Sequence, residues 1–451
     1  MKKIVVFLFI LIASNELTAQ DSAVQKLDEL ITAYANMNRF NGSVLIAQHG
    51  SILLNKGYGF KNAANKSLNN GNTVFQIASI TKQFTATVVL KLIELNKMLL
   101  NDKLSKYYTG FPYGDSITIE ALLNHTSGLR NLTEEDTAIN ETDEQRVMPY
   151  LKTLKPDFAP GTNWHYSNSG YIMLGYIIQK ASGMSYWEAM RKYIFQPLQM
   201  NNSGFDFAHL NSNEKAVGYD VLNDSVQQLS PITDSTVPFG AGAVYSTVTD
   251  MYKWYNGLRE NKIINASSFN KATTASVLHN YGFGWQIDSV NGRKMISHSG
   301  AIAGFGSNFA CIPQDDICLV MLSNKNGSTI ELMHITDKLV AILYHQPYSI
   351  PVKRIPVSID ENILKKYSGT YTIEEMNLTI DVSVNNGTLI AQPYRDDHAG
   401  PTSVIFATDK THFYDANDDE LEVTFDIDNN GKVNGMRILQ MGITKFAKKT
   451  K

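Results

Sequence analysis

The spacing of apolar residues changes along the chain, and each change predicts a different kind of element. Helical spacing is found over residues 21–37, 79–95, 118–124, 170–181, 185–193, 247–260 and 328–344. Short alternating or continuous apolar runs typical of strands cover residues 40–48, 51–58, 281–288, 294–297, 305–312 and 317–323. The order is therefore a helix, a strand hairpin, a long helical insertion, further strands and a closing helix. It predicts an α/β sandwich with an all-α subdomain, within residues 21–345.

The last quarter of the chain has a different pattern. Three prolines between residues 347 and 356 indicate a linker, which we place at residues 346–359. Strand-like runs follow at 378–384, 388–394, 403–408, 422–426 and 433–439, with Asn-Gly turn signals at 386–387, 430–431 and 434–435. Residues 360–451 are therefore predicted to form a separate small antiparallel β-barrel or sandwich.

The N-terminus predicts export. Lys2 and Lys3 precede an apolar stretch, residues 4–13, and Ala19 provides a small residue before a polar one. This pattern is typical of a cleavable signal peptide, residues 1–19, with an uncleaved anchor as the alternative. The stretch is shorter than the ~20 residues that a membrane-spanning helix needs, and no later segment approaches that length. We expect a periplasmic or secreted protein with no transmembrane segment after cleavage.

Composition narrows the function classes. The 451 residues are 43% hydrophobic and 18% charged, as in ordinary globular proteins. The 40 basic and 43 acidic residues give a net charge of −3, which offers no electrostatic case for a nucleic-acid partner.

The two cysteines, Cys311 and Cys318, flank a turn signal at residues 313–316. If Ile312 pairs with Ile317 in a hairpin, the two sulfurs stand opposite each other. A disulfide and two buried free thiols both remain open. A cysteine-based zinc site is excluded, and we expect no metal or other cofactor.

Ser79 and Lys82 are the first candidates for chemistry. They open a helix-length apolar run, and residues three apart lie on one face of a helix. Free N–H groups at a helix N-terminus favour developing negative charge, and a desolvated lysine can act as a base toward a serine. A helix-capping serine with a solvated lysine is the structural alternative. The same spacing occurs at Ser212–Lys215 and Ser268–Lys271, neither of which opens a comparable apolar helix.

Two further elements follow Ser79 in order. Tyr166-x-Asn168 precedes an apolar helix, and His298-Ser299-Gly300 lies at the end of a predicted strand. Each pattern has a second occurrence, at Tyr34-Ala35-Asn36 and His398-Ala399-Gly400. The first of these lies before Ser79 and the second lies in the C-terminal domain, so only one set runs in order through the α/β and helical regions.

In this ordered set the sequence resembles the serine β-lactamase and penicillin-binding-protein family. It is most similar to the branch that holds class C β-lactamases, DD-peptidases, D-aminopeptidases and β-lactamase-like esterases. The resemblance covers roughly residues 25–345 and includes the motifs at residues 122–129, 160–161, 240–242, 245–247 and 281–285. It implies a β-lactamase-like α/β sandwich, while the segment 364–371 resembles the opening of the lipocalin-like domains that often follow in this branch.

The resemblance also implies roles for single residues. Ser79 would be the acylated nucleophile and Lys82 its proton partner. Tyr166 would act as general base and then as acid, with its phenol pKa depressed by the nearby lysine. Asn168 would bind the substrate amide and hold Lys82, and the N–H groups of Ser79 and Ala301 would form the oxyanion hole.

The His298-Ser299-Gly300 motif departs from the β-lactamase pattern. His298, Ser299 and Gly300 would bind substrate where a Lys-Thr pair commonly binds a carboxylate. A histidine is mostly neutral at pH 7, so a strong anion clamp is missing. We interpret His125 as a buttress rather than a catalytic group, and Gly240 and Gly242 as a turn of close backbone approach.

The sequence therefore predicts an exported serine hydrolase that cleaves amide bonds of D-amino-acid-containing peptides or related small amides. The alternatives are a carboxylesterase of the same family, and a weak β-lactamase or non-catalytic penicillin-binding or scaffold protein. The expected partner is a small molecule or short peptide, a cell-wall-derived one included. An oligomer is compatible with the sequence.

Overall fold

The computed structural model describes residues 22–132, 143–395, 398–400, 402–415, 421–440 and 443–451. The predicted signal peptide lies outside these ranges. The chain divides into two compact units, the first ending at Ser349 and the second beginning at Ile350. Within the described ranges, no helix is both long and apolar enough to cross a membrane.

The first unit contains a central sheet, several two-stranded ribbons and a set of helices. Its strands are β1 (Gly42–Gln48), β2 (Ser51–Tyr58), β3 (Phe60–Asn62), β4 (Ser67–Leu68), β5 (Phe75–Gln76), β6 (Tyr219–Leu222), β7 (Gln227–Leu229), β8 (Tyr245–Ser246), β9 (Gln286–Val290), β10 (Arg293–Ile302), β11 (Phe305–Ile312) and β12 (Ile317–Ser323). Its α-helices are α1 (22–36), α2 (Thr81–Glu94), α3 (Ile119–Leu123), α4 (Glu144–Thr153), α5 (Asn168–Ser182), α6 (Tyr186–Met190), α7 (Phe239–Gly242), α8 (Val248–Arg259), α9 (Ala266–Ala272) and α10 (Thr329–Leu343).

The central sheet is antiparallel and has the strand order β2-β1-β12-β11-β10-β9. Its inner strands β1, β11 and β12 are buried on both faces, whereas the edge strands β2 and β9 are partly exposed. Along β1, Val44 and Ile46 join a core that includes residues of α1 and α10, whereas Leu45 and Ala47 join the larger core beneath the helical subdomain. Alternate side chains of a strand point to opposite faces, so these near-continuous apolar strands fit a sheet covered on both sides. The predicted α/β sandwich with an all-α subdomain is confirmed.

One of two local predictions in the first unit is confirmed and the other is wrong. The hairpin turn at His49-Gly50 is present, and both residues have positive φ, as a type I′ turn requires. The strand predicted from residue 281 begins only at Gln286. Residues 281–285 form a turn instead, because Gly284 has φ +77° and its backbone approaches the Lys82 carbonyl so closely that a Cβ would lie 2.7 Å from that oxygen.

Cys311 and Cys318 lie directly opposite each other, next to the Ile312–Ile317 pair of β11 and β12. Both are buried free thiols, which is one of the two predicted alternatives.

The second unit is a closed barrel of eight antiparallel strands. A helix, α11 (Glu361–Tyr367), precedes the strands β13 (Gly369–Ile373), β14 (Leu378–Asn385), β15 (Thr388–Arg395), β16 (His398–Ala399), β17 (Ser403–Ala407), β18 (His412–Asp415), β19 (Glu422–Ile427), β20 (Val433–Gln440) and β21 (Ile443–Lys449). The barrel runs β13-β14-β15-β17-β18-β19-β20-β21 and closes between β21 and β13, with the short β16 beside β15. The predicted small antiparallel barrel is confirmed.

The Asn-Gly signals differ in outcome. Asn386 and Gly387 form a turn with positive φ at both residues. The turn predicted at Asn434-Gly435 is wrong, because both residues lie inside β20. Gly435 is there for a different reason: a Cβ at this position would lie 2.4 Å from the ring of Phe446 on β21. An interior glycine can thus mark close packing rather than a turn.

Candidate active site

Ser79 lies in a single 3-10 turn, Ala78–Ile80, that leads into α2. The preceding Ala78 has φ +47°, a left-handed conformation that costs a non-glycine residue roughly 1–3 kcal/mol. The surrounding structure holds this turn in place. The Ile77 N–H donates to the Val244 carbonyl at 3.0 Å, and the Ser307 hydroxyl donates to the Ile77 carbonyl at 2.9 Å. Ser79 is therefore presented on a short, strained turn.

Lys82 is fully buried beside Ser79. Its Nζ lies 3.0 Å from Ser79 Oγ, 2.8 Å from Asn168 Oδ1 and 2.8 Å from the Ala241 carbonyl oxygen. Burial lowers the pKa of Lys82 well below its usual 10.5. A neutral amine has two N–H donors and one lone pair. The amide oxygen and the carbonyl oxygen can only accept, so the lone pair remains for the hydroxyl proton of Ser79.

Tyr166 completes the group around the nucleophile. Its hydroxyl faces Ser79, and Lys82 Nζ lies 4.8 Å from the centre of its ring. The expectation that Lys82 depresses the pKa of Tyr166 is wrong. Burial raises the pKa of the Tyr166 phenol above its usual 10 and lowers that of Lys82, so burial favours the neutral form of both groups. A neutral phenol is suited to donating a proton.

Asn168 reaches Lys82 because it is the first residue of α5. Ser167 caps this helix by accepting a hydrogen bond from the Gly170 N–H. The Asn168 N–H donates to Asn131 Oδ1 at 2.8 Å. Asn131 was missed by the sequence reasoning, since nothing in its local pattern indicates a contact with a residue 37 positions away.

The Ala241 carbonyl was also missed, although the glycines beside it were recognised. Gly240 and Gly242 belong to the short helix α7, and a Cβ on Gly240 would lie 2.4 Å from the Tyr171 carbonyl oxygen. The predicted close backbone approach is confirmed. This approach is to α5, and on the side toward α2 the carbonyls of Gly240 and Ala241 accept hydrogen bonds from Thr85 and Lys82.

The open edge of β10 borders the Ser79 turn. Strand β9 pairs with β10 only as far as Ser297, so residues 298–302 have no strand partner on that edge among the described strands. Every second N–H of such a segment points away from β11. A Cβ on Gly300 would lie 2.5 Å from the Ile77 carbonyl oxygen and 3.0 Å from Ala78 Cβ. The strand that carries Ala301 is therefore in close contact with the turn that carries Ser79.

His298 lies in the wall of the site with both ring nitrogens engaged. Nδ1 donates to the Ser299 carbonyl oxygen at 2.6 Å, so Nε2 is the acceptor for the Tyr281 hydroxyl at 2.8 Å. The side chain is 6% exposed, and burial together with the nearby Lys82 lowers its pKa to about 3. His298 should therefore bind a substrate carboxylate even less strongly than the sequence predicts, because its ring is neutral and has no free hydrogen-bond donor.

An aromatic cluster surrounds the far side of Tyr166. The His125 ring lies 4.5 Å from the Tyr166 ring and 4.7 Å from the Tyr281 ring. Trp164 stacks on His279 at 3.7 Å. Within the described ranges, no group of three or more His, Cys, Asp or Glu side chains is arranged to hold a metal ion.

The chain is similar to known proteins over most of its length. The Beta-lactamase family matches residues 27–340. The chain belongs to this family. The family's serine-hydrolase chemistry agrees with the placement of Ser79 beside the buried Lys82, and the protein is a serine hydrolase. A domain of unknown function, DUF3471, matches residues 353–449.

The chain is also similar to individual proteins. "Penicillin-binding protein 4*" of Bacillus subtilis is 30% identical over 377 residues, which cover 77% of this chain and 83% of that protein. The octameric penicillin-binding protein homologue from Pyrococcus abyssi has a TM-score of 0.67 at 24% identity, covering 94% of this chain and 100% of that one. The D-amino acid amidase from Ochrobactrum anthropi SV3 has a TM-score of 0.60 at 21% identity, covering 72% and 99%. The two solved structures support the fold.

Proposed function

We propose that the protein is an exported hydrolase that forms an acyl-enzyme at Ser79 and cleaves amide bonds of D-amino-acid-containing peptides or related small amides. The observation that carries the proposal is the buried Lys82 amine, held between Ser79 Oγ, Asn168 Oδ1 and the Ala241 carbonyl oxygen. This arrangement provides a neutral base in contact with a hydroxyl on a strained turn.

The proposed acylation step begins when Lys82 accepts the Ser79 proton and Oγ attacks the substrate carbonyl carbon. The N–H groups of Ser79 and Ala301 stabilise the oxyanion. Tyr166 then donates its proton to the leaving nitrogen as the C–N bond breaks, and the Lys82 ammonium returns a proton to the phenolate. Water reverses these roles in deacylation, which releases the acid and restores Ser79.

The state of His298 supports a particular substrate class. A neutral imidazole whose two nitrogens are occupied by Ser299 and Tyr281 offers no charge to a carboxylate beside the scissile bond. This favours uncharged amides over substrates that end in a carboxylate at that position. The similarity in fold to a D-amino acid amidase supports the same choice.

The same uncharged wall favours the second candidate, a carboxylesterase. An ester needs no anion clamp, and its leaving group needs less help from a proton donor than an amine does. The weak β-lactamase and the non-catalytic penicillin-binding protein remain outcomes of the test below.

Export is proposed on the N-terminal pattern of residues 1–19 alone. An oligomer is proposed because the penicillin-binding protein homologue from Pyrococcus abyssi is octameric and matches 94% of this chain.

The test treats the protein with a fluorescent fluorophosphonate and a fluorescent penicillin and measures intact mass. We expect a single fluorophosphonate adduct that is lost in Ser79→Ala. The control is Ser212→Ala, which removes the serine of the decoy Ser212–Lys215 pair and should label like the wild type. Labelling that survives in Ser79→Ala would refute the nucleophile, and no adduct with either probe would support the binding-protein alternative.

Substrate class is then read from matched pairs of D- and L-aminoacyl p-nitroanilides and p-nitrophenyl esters. Preferential cleavage of D-anilides supports the amidase. Cleavage of esters alone supports the carboxylesterase, and release of penicilloate supports the β-lactamase.

A further inference from the structure

His125 makes three separate contacts with the segment that carries Tyr166. Its backbone carbonyl accepts a hydrogen bond from the His165 N–H at 3.1 Å. Its ring Nδ1 accepts one from the Ser167 N–H at 3.2 Å. Its ring lies 4.5 Å from the Tyr166 ring, inclined at 41°. The two peptide N–H groups on either side of Tyr166, and the tyrosine ring itself, are therefore all held by one residue.

The imidazole has one protonation state that fits these contacts. Because Nδ1 accepts from a backbone N–H, the proton of the neutral ring is on Nε2. Nε2 has no hydrogen-bond partner among the described residues, and the side chain is 1% exposed. The backbone carbonyl and the ring of His125 therefore both accept hydrogen bonds from the segment 165–167. The rings of Tyr171 and Tyr281, at 5.2 and 4.7 Å, pack around the imidazole.

The backbone of His125 fits this role. It has φ +62°, in the left-handed region where histidine and asparagine are enriched among non-glycine residues. His125 lies in the loop that follows α3. A second hydrogen bond joins this loop to the segment before Tyr166, from the Gly161 N–H to the Thr126 carbonyl at 2.8 Å. The loop forms a fixed frame along which residues 161–167 run.

We propose that His125 is the positioning residue for Tyr166, setting the place of the phenol beside Ser79 by anchoring the peptide groups of His165 and Ser167. This inference rests on the proposed function for the role of Tyr166 as proton donor. It assigns His125 no contact with substrate. Since Ser167 caps α5, the same anchor also places Asn168 against Lys82.

Two variants separate the parts of this role. His125→Asn retains tolerance of positive φ and places an amide oxygen near the position of Nδ1, but removes the ring. His125→Phe retains a ring but cannot accept the Ser167 N–H. His49→Asn is the matched control, because His49 also has positive φ (52°) and lies exposed in the β1–β2 turn.

The kinetic readout compares a p-nitroanilide or simple amide with an activated p-nitrophenyl ester of the same acyl group. A p-nitrophenolate leaves without a proton, whereas an amine does not, so a displaced Tyr166 penalises the amide selectively. We expect the ratio of amide to ester kcat to fall about 100-fold in His125→Phe and about tenfold in His125→Asn, with little change in KM. His49→Asn should keep the wild-type ratio.

A wild-type ratio in both variants would overturn the proposal, as would equal losses on both substrates together with a lowered thermal midpoint, which indicate a general structural role. Crystal structures give a readout independent of turnover. We expect the Tyr166 hydroxyl to move away from Ser79 in His125→Phe, and an unchanged path of residues 165–167 would overturn the proposal whatever the kinetics. Failure of the proposed function is distinguishable, because the wild type would then cleave the ester alone or neither substrate, and the crystal structures would still test the position of Tyr166.

Discussion

At the scale of single residues, burial sets the protonation of this site more strongly than charge does. Lys82, His298 and His125 all have pKa values lowered by desolvation, and Tyr166 has one that is raised. Each shift favours the uncharged form. Desolvation therefore favours neutral side chains at these four positions, and the proposed mechanism passes protons between two of them, Lys82 and Tyr166.

His298 gives this conclusion a measurable consequence for stability. Its pKa is about 3 in the folded protein and 6.5 in an unfolded chain. Between these values the unfolded state binds more protons, so the contribution to stability is complete above pH 6.5 and is lost as the pH falls toward 3. From pH 7.5 to 5.0 this group should cost about 2 kcal/mol of unfolding free energy.

The prediction is tested by denaturant unfolding of the wild type and His298→Gln at both pH values. All four tryptophans lie in the first unit, at positions 164, 187, 254 and 285, so their fluorescence reports on that unit. The wild type should lose about 2 kcal/mol more than His298→Gln on acidification. His49→Gln, which removes an exposed histidine, should follow the wild type. Equal losses in wild type and His298→Gln would show that His298 is not held neutral.

The catalytic candidates could be found from sequence because their signals are local or ordered. Ser79 and Lys82 are one helical turn apart, and Tyr166 and Asn168 precede a helix whose apolar pattern is plain. The Ala241 carbonyl and Asn131 could not be found, because a main-chain oxygen has no sequence signature and a contact across 37 residues has no spacing. The pKa of Tyr166 was predicted in the wrong direction because desolvation is invisible before the fold is known.

At the scale of elements, the site depends on how closely β10 approaches the Ser79 turn. Gly300 is the residue that permits this approach, since a Cβ there would lie 2.5 Å from the Ile77 carbonyl oxygen and 2.4 Å from Ser307 Oγ. Gly300→Ala should push β10 away from Ser79 and move the Ala301 N–H out of its proposed place in the oxyanion hole. We expect the rate of Ser79 labelling and of ester cleavage to fall by ~10²–10³.

Gly292→Ala is the control for this substitution. Gly292 lies in the turn between β9 and β10 with φ +71° and open space around its Cα. Alanine there should cost roughly 1–2 kcal/mol of stability through backbone strain while leaving the rate unchanged. A Gly300→Ala protein with the wild-type rate would show that the contact between β10 and the turn does not set the oxyanion geometry.

The strands and turns of the barrel show why some of the fold predictions failed. Strand patterns of the barrel were recognised where apolar residues alternate, but β13 (Gly369–Ile373), β16 (His398–Ala399), β18 (His412–Asp415) and β21 (Ile443–Lys449) were missed. Strands β16 and β18 have only two and four residues, and β21 contains three lysines. The hairpin at Asn386-Gly387 was predicted correctly. The turn at Asn434-Gly435 was wrong because Gly435 lies inside β20 and makes room for Phe446 of β21. A contact between two strands leaves no local signal in the sequence.

At the scale of the whole molecule, the barrel has a core of its own. Phe425 lies near its centre, 3% exposed, stacked on Tyr367 at 4.2 Å and edge-on to Phe413 at 5.3 Å. These rings fill the interior, as expected for a small barrel that is a packed domain rather than a container. The hydrophobic cores of the first unit share no residue with it.

Separate cores predict separate unfolding. Phe425→Ala should destabilise the barrel by about 3–5 kcal/mol through loss of buried aromatic packing. Calorimetry or far-ultraviolet circular dichroism should show the barrel transition moving to lower temperature, while tryptophan fluorescence, which reports only the first unit, keeps its midpoint. Phe446→Ala is the matched control, since Phe446 is 47% exposed on the same barrel and should change little. A fluorescence midpoint that moves together with the barrel transition would show that the two units unfold as one, and the barrel would then have to be counted among the elements that support Ser79.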